Sequence, residues 1–248
     1  MSDCETPAFE RRVADNLRAV RERIARACAS AGRSPETVAV LAVTKGFGPE
    51  AVTAAIAAGL TDVGENYLQE AAAKFAALEP LAAASARRHF IGRLQRNKCK
   101  RVADLFDVVQ SVDDLSIAKA LDQSAREIGK KLDVLVQINI ASDDRAGVAP
   151  GEAAAFADAM RALPNLRLRG VMAVGPADAA LVRDAFAQAR MTFGELRQGI
   201  TGGPVLSLGM SGDLEAAVAA GSTMVRLGTA LFGERPAKQV SAPDGGEG

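Results

Sequence analysis

Val-Ala-Val-Leu-Ala-Val-Thr-Lys-Gly, residues 38 to 46, sets six apolar residues in a row ahead of a threonine, a lysine and a glycine. Such a run, half of it valine, suits a strand buried on both faces rather than one alternating between core and solvent. Gly46, Gly48 and Pro49 end it. A lysine at the carboxyl end of a buried parallel strand aims its amine into the mouth of an α/β sheet or barrel, where ligands bind. Desolvated there, the amine holds its proton less tightly and becomes a nucleophile toward a carbonyl. The plainer alternative is a solvated lysine closing a strand, and Lys45 alone does not exclude it.

The rest of the chain alternates around this stretch. Val13, Leu17, Val20, Ile24 and Cys28 recur at helical spacing, which predicts one long helix from Phe9 to Ala31, closed by Gly32. After strand one at Val38–Thr44, Pro49 opens an alanine-rich helix that Gly59 stops. Short strands are predicted at 61–64, 88–92 and 106–112, with helices at about 65–78, 95–103 and 115–128. Strands five to eight fall at 132–140, 166–174, 204–207 and 223–227, with helices over 150–162, 181–196 and 213–220 and a last helical turn at 229–232. Eight strands alternating with helices in 248 residues predict an α/β fold, a single closed (β/α)8 barrel of the TIM type with an extra amino-terminal helix. A doubly wound open sheet is the alternative, because alternation by itself does not prove closure. Residues 1–236 read as one domain, without repeat or linker, and 237–248, poor in apolar residues, read as a disordered tail.

Composition narrows the function. Thirty Lys and Arg cancel thirty Asp and Glu, so the chain offers no electrostatic footprint for nucleic acid or an anionic membrane. The stretch from Arg93 to Arg101 carries five positive charges, which a solvated helix face explains as well as an anion site does. Cys4, Cys28 and Cys99 are scattered without metal-ligand spacing and suit a reducing cytosol. With His89 the only histidine, a His-based zinc site or a Ser-His-Asp triad has little to draw on. The acidic first residues lack a signal peptide's apolar centre, and no apolar run reaches membrane-spanning length. A soluble, cytoplasmic protein without metal is expected.

In a barrel the strand ends share one face, so they can be read as a set. Leu208-Gly-Met-Ser-Gly-Asp213 and Val225-Arg-Leu-Gly-Thr229 place Ser211, Gly228 and Thr229 in turns after strands seven and eight, a common position for phosphate. Plainer readings are a helix N-cap for Ser211 and a tight turn at Gly228. Arg226 ends strand eight beside strand one, and its plainer role is an ion pair with Asp213 or Glu65. Asn66 and Tyr67 also serve as a helix start, His89 as a satisfied core histidine, and Met172 as core. A lysine, an arginine and a phosphate site converging on one mouth suggest an aldehyde phosphate held as a Schiff base.

Five segments sharpen this: Ala-Val-Thr-Lys (42–45), Gly-Glu-Asn-Tyr-Leu-Gln-Glu (64–70), His-Phe-Ile-Gly-Arg-Leu-Gln-Arg-Asn-Lys (89–98), Leu-Ser-Leu-Gly-Met-Ser-Gly-Asp (206–213) and Val-Arg-Leu-Gly-Thr-Ala-Leu-Phe-Gly (225–233). In register from about residue 10 to 236, the chain resembles the pyridoxal phosphate homeostasis protein family. The resemblance implies an alanine-racemase-type barrel standing without the racemases' second domain. It implies that the cofactor pyridoxal 5'-phosphate (PLP) is linked through Lys45. Ser211, Gly228 and Thr229 would contact its phosphate and Arg226 would face its pyridine nitrogen. Asn66 and His89 fall in motifs near the cofactor, and Met172 is grouped with them at its strand end. Two positions depart from the family's frequent pattern: Phe47 and Arg145 stand where it often has lysine. The implied role is a non-catalytic PLP carrier, monomeric, passing cofactor to PLP-dependent apo-enzymes. A PLP-dependent amino-acid racemase is the alternative; its second acid/base would have to be Tyr67, the only tyrosine.

Overall fold

A computed structural model of the chain describes residues 5–141, 143–200 and 202–235. Helix α1 (Glu5–Ser30) precedes β1 (Ala39–Val43) and α2 (Pro49–Ala57); β2 (Asp62–Glu65) is followed by α3 (Leu68–Ala76) and α4 (Pro80–Ser85). Then come β3 (Arg87–Phe90), α5 (Cys99–Leu105), β4 (Val108–Val112), α6 (Leu115–Glu127), β5 (Leu132–Ile138) and α7 (Ala153–Arg161). The chain closes with β6 (Leu166–Ala173), α8 (Val182–Leu196), β7 (Val205–Ser207), α9 (Leu214–Ala219), β8 (Met224–Leu227) and α10 (Thr229–Phe232). All eight strands are parallel and pair in sequence order, and β8 returns to β1 with Leu41 opposite Arg226, so the barrel is closed. The open sheet is excluded.

The strand residues divide as a two-residue period requires. Val40 and Ala42 join the apolar shell between strands and helices, while Leu41 turns inward against Gly64. That shell takes most of the buried apolar side chains, including the α1 stripe Phe9, Val13, Leu17, Val20 and Ile24. α1 is fixed to the last helix by Asn16 Nδ2, which donates to Leu231 O at 2.8 Å, and by Phe9 stacked on Phe232. At the amino-terminal end of the barrel Asp133, 3% exposed, accepts from Arg87 at 2.6 Å and from Arg167.

Differences from the sequence-based expectation are local. Strand five stops at Ile138 rather than residue 140, because the Asn139 side chain leaves the ladder to hold its own loop through Asp143 O and Arg145 O. The helix after strand three begins at Cys99, behind a 3-10 turn at Arg96–Lys98. α4 was not expected at all: a six-residue alanine-rich turn after Pro80 has too little periodicity to stand out. The predicted tail at 237–248 lies outside the described residues. Among the described residues no helix is long and apolar enough to cross a membrane, and no cluster of His, Cys, Asp or Glu could hold a metal ion.

Gly170 on β6 has φ +150°, and a Cβ there would stand 1.8 Å from Val205 O on β7. Gly129 has φ +65° with nothing within 4 Å. Denaturant unfolding should separate the two: Gly129→Ala costs about 1 kcal/mol for backbone conformation alone, whereas Gly170→Ala costs about 3 kcal/mol or more because a backbone carbonyl must move.

Candidate functional site

The carboxyl ends of the strands surround a cavity of about 260 Å³ lined by Lys45, Arg226, Ser211, Gly228 and Thr229, together with Val43, Phe47, Ile91, Met210, Gly212 and Arg235. Two larger clefts, of about 510 and 1040 Å³, lie against α1 away from the mouth. Their arginines, Arg21, Arg26, Arg183 and Arg190, are all exposed. Chemistry, not size, selects the smaller cavity.

Lys45 follows β1 and is half-buried. Burial lowers its pKa from the ordinary lysine value, the charges of Arg235 and Arg226 lower it further, and Glu65 and Glu70 pull the other way. The amine is thereby brought closer to the neutral, nucleophilic form at physiological pH. Phe47 is fixed beside it by Phe232, ring centroids 5.3 Å apart, and Arg235 lies over Gly46.

Arg226 is 5% exposed and makes no ion pair within bonding distance among the described residues. Its guanidinium donates to Ser207 O at 2.7 Å, Ser207 Oγ at 2.9 Å and Ala173 O at 2.8 Å. The expected alternative of a salt bridge to Asp213 or Glu65 is therefore wrong: carbonyl oxygens hold the group, and Asp213 acts only at a distance. Burial lowers the arginine's pKa to about 10, which still leaves it charged at neutral pH.

From Arg226 a line of hydrogen bonds runs down the inside of the barrel. Ser207 Oγ donates to Gln110 Oε1 at 2.7 Å, Gln110 Nε2 lies 3.0 Å from His89 Nδ1, and His89 Nε2 lies 2.8 Å from Asp62 Oδ1. A carboxylate can only accept, so His89 carries its hydrogen on Nε2 and accepts at Nδ1. Every donor then points from the arginine toward the aspartate. Burial lowers the His89 pKa, more than the Asp62 partner restores it, and the imidazole is neutral.

The opposite side of the cavity is made by the turns after β7 and β8. Gly228 and Thr229 open α10, where the Leu231 and Phe232 N–H groups both donate to Gly228 O at 2.9 Å. A Cβ at Gly228 would press on Val43 O at 3.2 Å, so the turn sits tight against β1. Ser211 does not cap its own helix. Its Oγ accepts from Ala230 N at 3.3 Å and so joins the β7 turn to α10.

Three predicted site residues fall outside this lining. His89 sits deeper in the barrel, in the polar line. Met172 is buried on β6 opposite Ser207. Asn66 packs its backbone carbonyl on Gly92, where a Cβ would come within 1.9 Å, and its Oδ1 is buried without a hydrogen-bond partner among the described residues. Tyr67 is 61% exposed and also outside. Arg145 is tied to Asp143 and to Gly175 O at 2.8 Å. Sequence reasoning missed Arg235, which no motif marks, and Gln110, whose polarity in the middle of a buried strand was the available signal.

Residues 15–236 match the alanine racemase N-terminal domain family. The pyridoxal phosphate homeostasis protein of Pseudomonas aeruginosa is 45% identical over 226 residues, covering 90% of this chain and 96% of that one. That of Escherichia coli K12 is 43% identical over 227 residues, covering 90% and 97%. PipY of Synechococcus elongatus, solved with PLP bound, matches with a TM-score of 0.76 at 34% identity, covering 89% of this chain and 100% of that one.

The single histidine makes the polar line testable. His89 is held below its unfolded pKa, so between the two values the unfolded chain binds a proton that the folded chain does not. Acid then favours unfolding: stability falls as pH drops below about 6.5, by about 1.4 kcal/mol for each tenfold difference in proton affinity. Urea midpoints at pH 7.5 and 5.5 should show the loss, and His89→Gln should flatten it. An imidazole NMR titration above pH 6.5 would show instead that Asp62 dominates.

Proposed function

The chain belongs to the pyridoxal phosphate homeostasis protein family, built on the alanine racemase N-terminal domain, and on that premise we propose that it binds PLP at the barrel mouth and serves PLP homeostasis without turnover of its own. The observation that carries this reading is the convergence of Lys45, Arg226, Ser211, Gly228 and Thr229 on one cavity. PLP, when bound, supplies an aldehyde carbon, a pyridine nitrogen and a phosphate. The donor set fits all three. Lys45 offers the amine that links to the aldehyde, its proton loosened by burial and by two guanidinium charges. The hydroxyls of Ser211 and Thr229, with the close backbone approach that Gly228 allows, meet the phosphate. Arg226, charged and donating, keeps a proton off the ring nitrogen that faces it. Asn66, His89 and Met172 act around this core, with His89 reaching the site through the line that ends on Arg226.

A racemase needs an acid/base on each face of its substrate. Lys45 supplies one, while Tyr67 stands exposed and outside the cavity lining. A charged Arg226 at the ring nitrogen also weakens the cofactor as an electron sink. Both favour a carrier, which we take to be a cytoplasmic monomer that yields PLP to apo-enzymes depending on it and has no nucleic-acid partner.

Borohydride reduction after PLP addition should fix the cofactor to the peptide containing Lys45, and Lys45→Ala should lose that adduct. An adduct mainly on another lysine overturns the assignment. Chiral chromatography after long incubation with alanine should show racemisation no faster than with free PLP at equal concentration; multiple turnovers that vanish in Lys45→Ala would make the protein a racemase.

A further inference from the structure

Behind the barrel wall, three charged side chains close on the backbone around Lys45. Thr44 donates its hydroxyl to Glu65 Oε1 at 2.6 Å. Lys74 Nζ, on α3, donates to Thr44 O at 2.6 Å, to the same Glu65 oxygen and to Glu70 Oε1 at 3.1 Å. Glu70 Oε1 in turn accepts the Gly46 N–H at 2.5 Å. The residues immediately before and after Lys45 are both gripped, and Lys45 is the one residue between them.

This arrangement is costly. Lys74 is 4% exposed and Glu65 0%, and a buried pair of this kind rarely outperforms apolar packing as a source of stability. Glu65 Oε2 is also buried without a hydrogen-bond partner among the described residues. Simple cohesion between β2 and α3 would be served as well by leucine and alanine. What apolar residues could not do is hold a carbonyl, a hydroxyl and an N–H at chosen places.

We propose that Lys74 is a positioning residue for Lys45: with Glu65 and Glu70 it fixes the backbone on both sides of that lysine and leaves a single net negative charge behind its amine. The proposal rests on the reading of Lys45 as the linking amine and adds what sets it. The charges facing Lys45 are Arg226 from β8, Arg235 beyond α10, Glu65 from β2, and Glu70 with Lys74 from α3. The two arginines loosen the lysine's proton and the two glutamates retain it. Lys74 holds those glutamates in place while cancelling one of them. One cluster outside the cavity thus fixes the backbone under the amine and offsets part of what burial and the two arginines do to its proton.

Two variants test this on the full chain without cofactor, using reductive methylation by formaldehyde and cyanoborohydride, with labelling of Lys45 followed by peptide mass spectrometry from pH 6 to 10. Glu70→Gln keeps an oxygen for Gly46 N–H and removes one negative charge. The pH midpoint for labelling Lys45 should fall, and the rate at pH 7.5 should rise about twofold at low salt, an effect that 1 M salt erases. An unmoved midpoint overturns the electrostatic half of the proposal. Lys74→Met alone would strand Glu65 as a buried uncompensated charge, so it is combined with Glu65→Gln, which leaves the net charge unchanged. In that double variant the midpoint should stay where it is, while the rate at which Lys45 captures added PLP falls about tenfold through lost alignment. Wild-type capture rates in a double variant with a cooperative melt would overturn the positional half; if the double variant does not melt cooperatively, the Glu70→Gln profile decides. Should PLP never attach to Lys45 in the wild-type protein, the reading of the site fails, yet the methylation profiles still report whether the cluster sets that amine.

Discussion

A guanidinium inside a barrel is the constraint from which the rest of the interior follows. Removing such a charge from water costs several kcal/mol, and among the described residues no carboxylate stands within bonding distance of Arg226 to offset it. The compensation is made from dipoles instead. Two backbone carbonyls and a serine hydroxyl receive the arginine, and that hydroxyl is turned by Gln110, which is turned by His89, which ends on Asp62. A barrel of this kind usually fills its axis with branched apolar side chains. Here one column of the axis is polar, because a lone arginine in an apolar axis would not stay.

The same logic operates in mirror image around Lys45. On the cavity side it faces Arg226 and Arg235; on the wall side it faces the glutamates that Lys74 organises. An amine that must be reactive yet remain at one point in space benefits from both, since cations alone would strip its proton and anions alone would fix it. Arg226 therefore acts twice, once on whatever sits in the cavity and once on the lysine opposite. Its strand and that of Lys45 are neighbours only because the barrel closes, with Leu41 opposite Arg226 across β1 and β8.

Closure was the point at which the sequence left two architectures open, and it is also what makes the site. The strands, the lysine at the end of the first, and the glycine- and hydroxyl-bearing turns after the last two were legible because each is a local pattern. Arg226 was legible as a residue but not in its partners, since backbone carbonyls carry no signature in a sequence; the plainer alternative of an ion pair with Asp213 or Glu65 gave way to carbonyl oxygens. The Ser211 hydroxyl looked like a cap for the helix that follows it and instead reaches Ala230, nineteen positions on. The Gln110 to Ser207 bond spans 97 positions. Contacts of that range are fixed by strand order and register, which periodicity does not encode. Arg235, arriving at the cavity just beyond the last motif, escaped for the same reason.

The balance between holding a cofactor and using it rests on this geometry as well. On the proposed reading, a ring nitrogen beside Arg226 would draw electrons weakly, and a single amine would address one face of a bound substrate. The chain's tyrosine, which could have addressed the other, is exposed and outside the cavity lining. Moving it inward would require displacing Asn66, whose carbonyl is wedged against Gly92 too closely for any side chain there. The β2 turn is therefore fixed by two contacts unrelated to chemistry in the cavity, the Asn66–Gly92 packing on one side and the Glu65–Lys74 pair on the other. A site so constrained suits the proposed capture and release of an aldehyde phosphate. To acquire catalytic turnover it would first have to loosen the turn that keeps Lys45 in place.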